Sequence, residues 1–327
     1  MKEFSSGDIL TGMSVSSLRE ITVGVQSLER RTRQLQNGCR LSVLSSGDLE
    51  PITAMRLFDT NAGFSAALLG RADLVDAPRI RLVQSTGGAP ARSESLKTTG
   101  PLGVGFTTTG IAGVHSRLES EGVQFVSPPL LLTPENNEKP EGEAPGPKRF
   151  EAFGRSEDGD FIVLIERVHA ATPYGTFATD CSEPLHASFI VTNLEACLHF
   201  MSDVLQHETL IAETCSGSPF DKLLGLPEDV SFRFVMLHRP AYATGRVIFI
   251  QFEKRLEPMA QTPSLARGVC RLRYDCTDLH ETLSRVPGGG GSLVRGPASI
   301  DDPILGRGMV ALVRSPFGVV IELWQKG

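Results

Sequence analysis

The chain has 327 residues, of which 40% are hydrophobic and 21% charged, and its net charge is −6 with a pI near 5.7. These proportions are typical of a globular protein, and the length predicts two domains because one core rarely serves so long a chain. The basic residues are scattered, which argues against a nucleic-acid partner. No apolar run reaches the roughly 18 residues of a membrane span, and the first residues lack the pattern of a secretory signal.

Two copies of the same element order occur in the first half of the chain. Glu20 to Val25 predicts a strand, and Ser27 opens a helix that reaches Gly38. Gly103 to Phe106 predicts a second such strand, followed by a helix with apolar residues on one face. Gly122 ends that helix.

The clearest copy begins at Leu185. Leu185 to Val191 is rich in β-formers, and the pattern Thr192-Asn193-Leu194-Glu195 is typical of a capped helix start. An amphipathic helix to Leu205 and two further strands, Ser231 to Leu237 and Gly245 to Phe252, follow it. This copy therefore has the order strand, helix, strands.

A fourth copy closes the chain, with a strand from Val269 to Tyr274 and a helix that Asp278 opens. The equivalent positions on the four first strands are Glu20, Gly103, His186 and Arg271, at intervals of 83, 83 and 85 residues. Such regular spacing indicates an internal repeat. The predicted fold is α+β, with four βαβββ units.

Each unit covers one face of its small sheet with a helix, so two units side by side are expected to form a trough suited to a ligand. We expect consecutive units to pair. Units one and two then form an N-terminal domain, residues 1–170, and units three and four form a C-terminal domain, residues 171–327. The predicted join lies near His169 to Ser182.

Six cysteines occur at irregular intervals with no C-x-x-C pair: Cys39, Cys181, Cys197, Cys215, Cys270 and Cys276. In a chain of this size the pattern favours free, mostly buried thiols in a reducing cytoplasm, and it does not support a structural zinc site.

The segment from Arg314 to Leu323 combines a strand end, a Pro/Gly turn and a strand that carries Glu322. It resembles the closing hairpin of the vicinal oxygen chelate superfamily, which includes glyoxalases, epimerases, ring-cleaving dioxygenases and resistance proteins. The segment from His186 to Leu205 is similar to that family's opening strand and helix. The resemblance implies two glyoxalase-like domains.

In active members of the family, residues on the first and last strands of paired units bind a divalent metal. The resemblance implies His186, Gln251 and Glu322 as metal ligands in the C-terminal trough, for Fe, Mn, Co, Ni or Zn. Arg271 stands where the family places a second histidine. The N-terminal pair offers Glu20, Arg81, Gly103 and Val163, which do not form a credible metal site.

Alternative roles remain open for these residues. A lone histidine in an apolar strand is often a core residue, whereas a buried Glu322 requires a cation, a hydrogen-bond donor or a metal. Arg271 can form an internal salt bridge with Glu322, or it can hold a substrate carboxylate or phosphate. Arg273 and Trp324 are further substrate-binding candidates, although Trp324 also suits a core position.

Two classes of function follow from this reading. The first is an isomerase, epimerase or lyase in which the metal stabilises an enolate and Glu322 and His186 are catalytic. The second is a metal-free protein, either a small-molecule binder of the resistance type or a biosynthetic cyclase or isomerase. Both imply a small-molecule ligand, no nucleotide cofactor, no membrane, a cytoplasmic location, and a monomer or homodimer.

Overall fold

The computed structural model of the chain describes residues 14–58, 63–84, 98–133, 137–138, 148–168, 178–226, 230–242, 244–253 and 266–327. The first part of the predicted join, residues 169–177, lies outside the described residues. Within the described residues, none of the helices has the length and apolar character needed to cross a lipid bilayer.

The four predicted units are present in chain order. Unit one consists of β1 (Val15–Val25), α1 (Leu28–Cys39), β2 (Ser42–Leu49), α2 (Pro51–Phe58), β3 (Phe64–Gly70) and β4 (Arg79–Gln84). Unit two consists of β5 (Gly100–Thr107), α3 (Ile111–Ser120), β6 (Gln124–Phe125), β7 (Leu130–Leu132), β8 (Asn137–Glu138), β9 (Arg149–Arg155) and β10 (Phe161–Arg167).

Units three and four repeat the order. Unit three consists of β11 (His186–Ile190), α4 (Leu194–Asp203), β12 (Glu208–Ser216), α5 (Phe220–Leu224), β13 (Ser231–His238) and β14 (Arg246–Phe252). Unit four consists of β15 (Gly268–Cys276), α6 (Leu279–Arg285), β16 (Ser292–Asp302), β17 (Gly306–Arg314) and β18 (Val320–Lys326). The predicted α+β fold of repeated βαβββ units is confirmed.

The helix starts follow from the sequence. Ser27, Asn193 and Asp278 precede α1, α4 and α6, and each side chain accepts a hydrogen bond from the backbone N–H three residues later. These bonds satisfy amide groups that have no partner within the helix.

The pairing of the units differs from the predicted one. An eight-stranded sheet has the order β16-β17-β18-β15-β1-β4-β3-β2, so it joins units one and four. The other sheet, with the order β6-β9-β10-β5-β11-β14-β13-β12-β8 and β7 beside β9, joins units two and three. The predicted division into residues 1–170 and 171–327 therefore does not separate the two sheets.

Cross-strand contacts explain this pairing. Glu20 on β1 lies opposite Arg273 on β15, with the Arg273 Nε atom 3.6 Å from a Glu20 carboxylate oxygen. His186 on β11 lies opposite Gly105 on β5, where a Cβ atom would stand 1.9 Å from the imidazole Cε1. Opposite charges and complementary sizes on facing strands stabilise these two junctions.

One apolar core connects the two sheets. The faces of the central strands that carry the helices contribute residues from all four units to it, including Ile21, Phe106, Phe189 and Ile321. Phe317 lies in the same core, with ring centroids 5.0 Å from those of Phe189 and Phe249. Since the helical faces form this shared core, the two troughs lie on the opposite faces of the sheets.

All six cysteines are free and buried, as the sequence predicted.

Candidate functional site

The strand registers define which residues are equivalent in the four units. In each unit the first and last strands are parallel neighbours, and the facing pairs are Thr22 with Arg81, Gly105 with Val163, Ser188 with Ile248, and Arg273 with Glu322. Each first-strand residue in this list lies two positions after the reference position of its repeat. Arg81, Val163, Ile248 and Glu322 are therefore equivalent.

This register places Ile248, not Gln251, at the position equivalent to Glu322. Gln251 lies on the other face of β14, because side chains alternate along a strand. Its amide nitrogen donates a hydrogen bond of 2.7 Å to the backbone oxygen of Thr192. The sequence prediction placed the equivalent position three residues too late on β14. A Pro/Gly turn marks the register of β18, but no such turn marks that of β14.

Units one and four bring together four charged residues at the equivalent positions. Arg81 Nε lies 2.9 Å from Glu20 Oε1, and Arg271 Nη1 lies 3.2 Å from Glu322 Oε2. All four side chains have no exposed surface. Asp302, also fully buried, lies 3.3 Å from Arg81. We call these five residues the buried ion cluster.

The charges of the buried ion cluster depend on one another. Burial raises the pKa of Glu20, and the positive charges of Arg81 and Arg273 oppose that rise. Burial lowers the pKa of Arg271, a shift that Glu322 partly offsets. For Arg81, burial is outweighed by the carboxylates of Glu20 and Asp302, so its pKa is raised. The opposite charges thus compensate for lost hydration.

Helix α2 closes one end of this trough. Arg271 donates a hydrogen bond from Nη2 to the backbone oxygen of Leu57, and its guanidinium carbon lies 4.2 Å from the centre of the Phe58 ring. Ala54, Leu57 and Phe58 are buried in an apolar cluster with residues of the trough face. Arg271, a predicted substrate-binding residue, is therefore enclosed by the protein itself.

The residues at the family's ligand positions do not fit a divalent metal. In the trough of units one and four, two of the four positions carry guanidinium groups, which cannot donate a lone pair, and the two carboxylates already bind them. In the trough of units two and three, the equivalent positions carry Gly103, Val163, His186 and Ile248, which offer one donor. Among the described residues, no group of three His, Cys, Asp or Glu side chains could hold a metal ion.

The structure also separates the predicted site residues. His186 lies in the sheet of units two and three, whereas Glu322 lies in the sheet of units one and four. The predicted set of His186, Gln251 and Glu322 therefore does not converge on one point. Arg273 and Trp324 do lie together, at the end of the trough of units one and four that α2 does not fill.

The trough of units two and three contains a cavity beside His186. The centres of water molecules can occupy about 140 Å³ of it, which is room for several waters or a small organic molecule. Its walls are mostly apolar and include Leu102, Phe153, Val163, Ile165, Ile211, Phe234, Met236, Ile248 and Ile250. Helix α5 packs with Phe232 and Phe252 in the apolar cluster that occupies this trough face. We call the space the unit 2/3 cavity.

Eight of the side chains that line the unit 2/3 cavity are polar. They are Thr107, Arg149, Glu151, Arg167, His186, Ser188, Glu213 and Arg246. His186 is 1% exposed, and burial lowers its pKa to about 3, so its imidazole is neutral at pH 7. Its Nδ1 atom has no hydrogen-bond partner among the described residues. A buried nitrogen of this kind is suited to a ligand group.

The three arginines in this cavity affect one another. Burial lowers the pKa of Arg246 to about 10, and the charge of Arg167 lowers it further. Burial and the charge of Arg149 likewise lower the pKa of Arg167. Arg149 binds Glu151, and Arg246 Nη1 lies 3.6 Å from the Met236 sulfur. Glu151 offsets the charge of Arg149, and an anion beside Arg167 and Arg246 would reduce the repulsion between those two guanidinium groups.

No sequence motif singles out these arginines. Arg246 lies directly opposite His186 in the parallel register, two residues before Ile248 and on the same strand face. Its position could have been inferred once the register of β14 was known. Arg149 and Arg167 face each other on the neighbouring strands β9 and β10.

Solved structures with the same architecture show the fold family. Glyoxalase I from Zea mays is similar over 94% of this chain and 92% of its own, with a TM-score of 0.63 and 15% sequence identity. A candidate dioxygenase from Bacillus subtilis is similar over 96% of this chain and 86% of its own, with a TM-score of 0.56 and 14% identity. No protein-family model and no curated protein sequence matches the chain.

The chain has the fold of the vicinal oxygen chelate superfamily. The predicted resemblance is therefore confirmed for the fold, over nearly the whole chain. At identities of 14% and 15%, the similarity shows the fold alone.

Proposed function

We propose that this chain binds a small organic anion in the unit 2/3 cavity, without a metal at the family's ligand positions. The observation that carries the proposal is the convergence of Arg149, Arg167 and Arg246 on one cavity, where three guanidinium groups meet two carboxylates, those of Glu151 and Glu213. Apolar walls combined with polar groups that fix the orientation of the ligand are the usual construction of a small-molecule site. The apolar walls would hold the body of the ligand, and the arginines its carboxylate or phosphate.

The metal-dependent isomerase, epimerase or lyase predicted from the sequence has less support. Its ligands would be His186 and Glu322, which lie in different sheets, and Gln251, which faces away from the trough. The donors that remain at the equivalent positions do not form a chelating set. The choice between the predicted functions therefore favours the metal-free class.

A metal-independent isomerase or cyclase at the same cavity is the second candidate. His186 supports it, because a neutral imidazole with a ring nitrogen that has no hydrogen-bond partner among the described residues can accept or relay a proton. With a pKa of about 3, His186 would be a weak base, so this role needs a ligand proton that is already acidic. A binding role requires no such condition.

The assembly and location of the protein follow as parts of the same proposal. Each trough is formed within one chain, so a monomer suffices and a homodimer is not required. Six free, buried thiols support a reducing compartment such as the cytoplasm.

The proposal can be tested with matched charged and neutral probes. We expect benzoate and 2-naphthoate to bind the purified protein in isothermal titration calorimetry more tightly than benzamide and 2-naphthamide, which have the same shape without the charge. Arg167→Gln and Arg246→Gln should each weaken binding of the carboxylates about tenfold or more, with circular dichroism confirming that the variants fold.

Arg233→Gln is the matched control, because Arg233 is half exposed and pairs with Glu195 at the surface. It removes one positive charge of the protein without touching the cavity. Equal affinities for the carboxylates and the amides would contradict the proposed site. So would an equal loss of carboxylate affinity in Arg233→Gln and Arg167→Gln.

A further inference from the structure

Equivalent strands of the two troughs begin with an arginine. β14 begins at Arg246, which faces His186, and β4 begins at Arg79, which faces Glu20 in the same register. Units one and three therefore place a guanidinium at the same point of the repeat. In unit three that group lines the unit 2/3 cavity.

A second pair of cations ends the equivalent strands of the other two units. β10 and β18 each have seven residues, and their seventh residues are Arg167 and Lys326. Arg167 lines the unit 2/3 cavity, and Lys326 lines an open pocket in the other trough. The repeat thus presents two cations at the same end of both troughs.

The open pocket in the trough of units one and four has a volume of about 300 Å³. Its charged lining consists of Arg19, Arg79, Arg273, Asp275 and Lys326, and Trp324 forms part of the wall. We call it the unit 1/4 pocket. It is bounded by the buried ion cluster, since Arg273 contacts Glu20.

Two cations of the unit 1/4 pocket are already neutralised. Arg19 lies 2.9 Å from Asp76 and 3.3 Å from Asp275, and Arg273 binds Asp275. Within the described part of the chain, no carboxylate lies within 4.0 Å of Arg79 or Lys326. The guanidinium of Arg79 instead donates a hydrogen bond of 3.2 Å to the backbone oxygen of Val75. The pocket therefore keeps a positive charge that a ligand can neutralise.

We infer that the unit 1/4 pocket is a second anion site, which takes a small oxyanion such as a phosphate or carboxylate group between Arg79 and Lys326. The ligand is more polar than that of the unit 2/3 cavity. Arg271, Glu322 and helix α2 fill the part of the trough where an apolar body would lie. This site does not depend on the function proposed for the unit 2/3 cavity.

Trp324 supplies a direct readout, because it is the only tryptophan of the chain and lines this pocket while it is 3% exposed. The full-length protein is titrated with inorganic phosphate and, separately, with acetate, at constant ionic strength set with sodium chloride. We expect a saturable change in tryptophan emission. Tighter binding of phosphate identifies a phosphate group as the ligand class, and comparable binding of acetate identifies a carboxylate.

Variants assign the signal to one trough. Arg79→Gln and Lys326→Gln should each weaken the apparent affinity derived from tryptophan emission about tenfold, whereas the surface variant Arg233→Gln should leave it unchanged. Lys326 is exposed, so its substitution is not expected to impair folding. Calorimetry is run in parallel, since binding without an emission change would still release or absorb heat.

Two results would overturn the inference. One is the absence of both a saturable emission change and a binding heat with phosphate and acetate. The other is a change in tryptophan emission on ligand addition that survives in Arg79→Gln combined with Lys326→Gln. Because the proposed function concerns Arg167 and Arg246, its failure would be visible in different variants.

Discussion

Arg271 Nη1 lies 3.2 Å from Glu322 Oε2, and neither side chain has any exposed surface. β15 and β18, which carry them, are parallel neighbours in the sheet of units one and four. The sequence left open whether Glu322 binds a metal or an arginine. In the structure its partner is Arg271. Each charge has lost its hydration, so each depends on its partner.

Removing one partner of this pair should destabilise the fold strongly. We expect Arg271→Met or Glu322→Leu to lower the free energy of unfolding by about 3–5 kcal/mol, because either change leaves an uncompensated buried charge. The double variant should lose less free energy of unfolding than either single variant, since it removes both charges and fills their place with apolar side chains. Urea unfolding followed by circular dichroism measures all three.

Arg307 and Asp301 form the matched surface pair, at 2.8 Å with side chains 85% and 65% exposed. Arg307→Met should change the free energy of unfolding far less than Arg271→Met does, because water screens an exposed pair. A similar cost for Arg307→Met and Arg271→Met would contradict the role assigned to burial.

Local patterns predicted the units but not how they associate. Ser27, the pattern from Thr192 to Glu195, and Asp278 marked helix starts correctly, and the 83- to 85-residue spacing indicated the repeat. Four similar units present four similar edge strands, and the spacing does not distinguish among them. Which two units share a sheet depends on cross-strand pairs such as Glu20 with Arg273. Such pairs can be identified only once the strand register is known.

For the candidate site, the sequence predicted one residue of the cavity but not which residues lie near one another. His186 was selected from its place on a first strand, and it does line a cavity. Gln251 was selected without a register marker on β14, and the structure shows Ile248 at that position. The arginines of the cavity come from strands of two units whose pairing was predicted differently, so their proximity could not be inferred.

The donor sets predict that no metal binds at the family's ligand positions. After incubation with Mn, Fe, Co, Ni or Zn and gel filtration, elemental analysis of the tag-free protein should give a metal-to-protein ratio far below one. His186→Ala should not change that ratio. A ratio near one that falls in His186→Ala would reject the metal-independent site.

Gly105 should be intolerant of a side chain, because a Cβ atom there would lie 1.9 Å from Cε1 and 2.1 Å from Nε2 of His186. The imidazole belongs to His186 on the buried strand β11, so it cannot move without disturbing the side chains packed around it. We expect Gly105→Ala to lower the free energy of unfolding by about 1–3 kcal/mol and to weaken binding of the carboxylate probes. Chemical unfolding and calorimetry measure the two effects.

Gly296 provides the control, since a Cβ atom there would have no atom within 4 Å. Gly296→Ala should leave both stability and probe binding close to wild type. Combining Gly105→Ala with His186→Ala should recover part of the stability, because the clash disappears with the imidazole. If stability is not recovered in the double variant, the contact between residues 105 and 186 is not the cause of the destabilisation in Gly105→Ala.

The buried imidazole of His186 should make the protein less stable as the pH falls from neutral. Its pKa in the folded protein is about 3, whereas an unfolded histidine has a pKa near 6.5. Between these values the unfolded chain binds a proton that the folded chain excludes, so lowering the pH favours unfolding by up to about 1.4 kcal/mol per pH unit. The stabilising contribution is complete above pH 6.5 and is lost progressively below it.

His186→Asn removes this linkage. Urea unfolding at several pH values between 6.5 and 5 should therefore show a smaller slope of stability against pH in the variant than in the wild type. Some slope should remain, because burial also lowers the pKa of His207 to about 4. If the two curves are parallel, His186 has the same pKa in both states. Its imidazole would then be hydrated in the folded protein, which would conflict with the cavity geometry on which the ligand role rests.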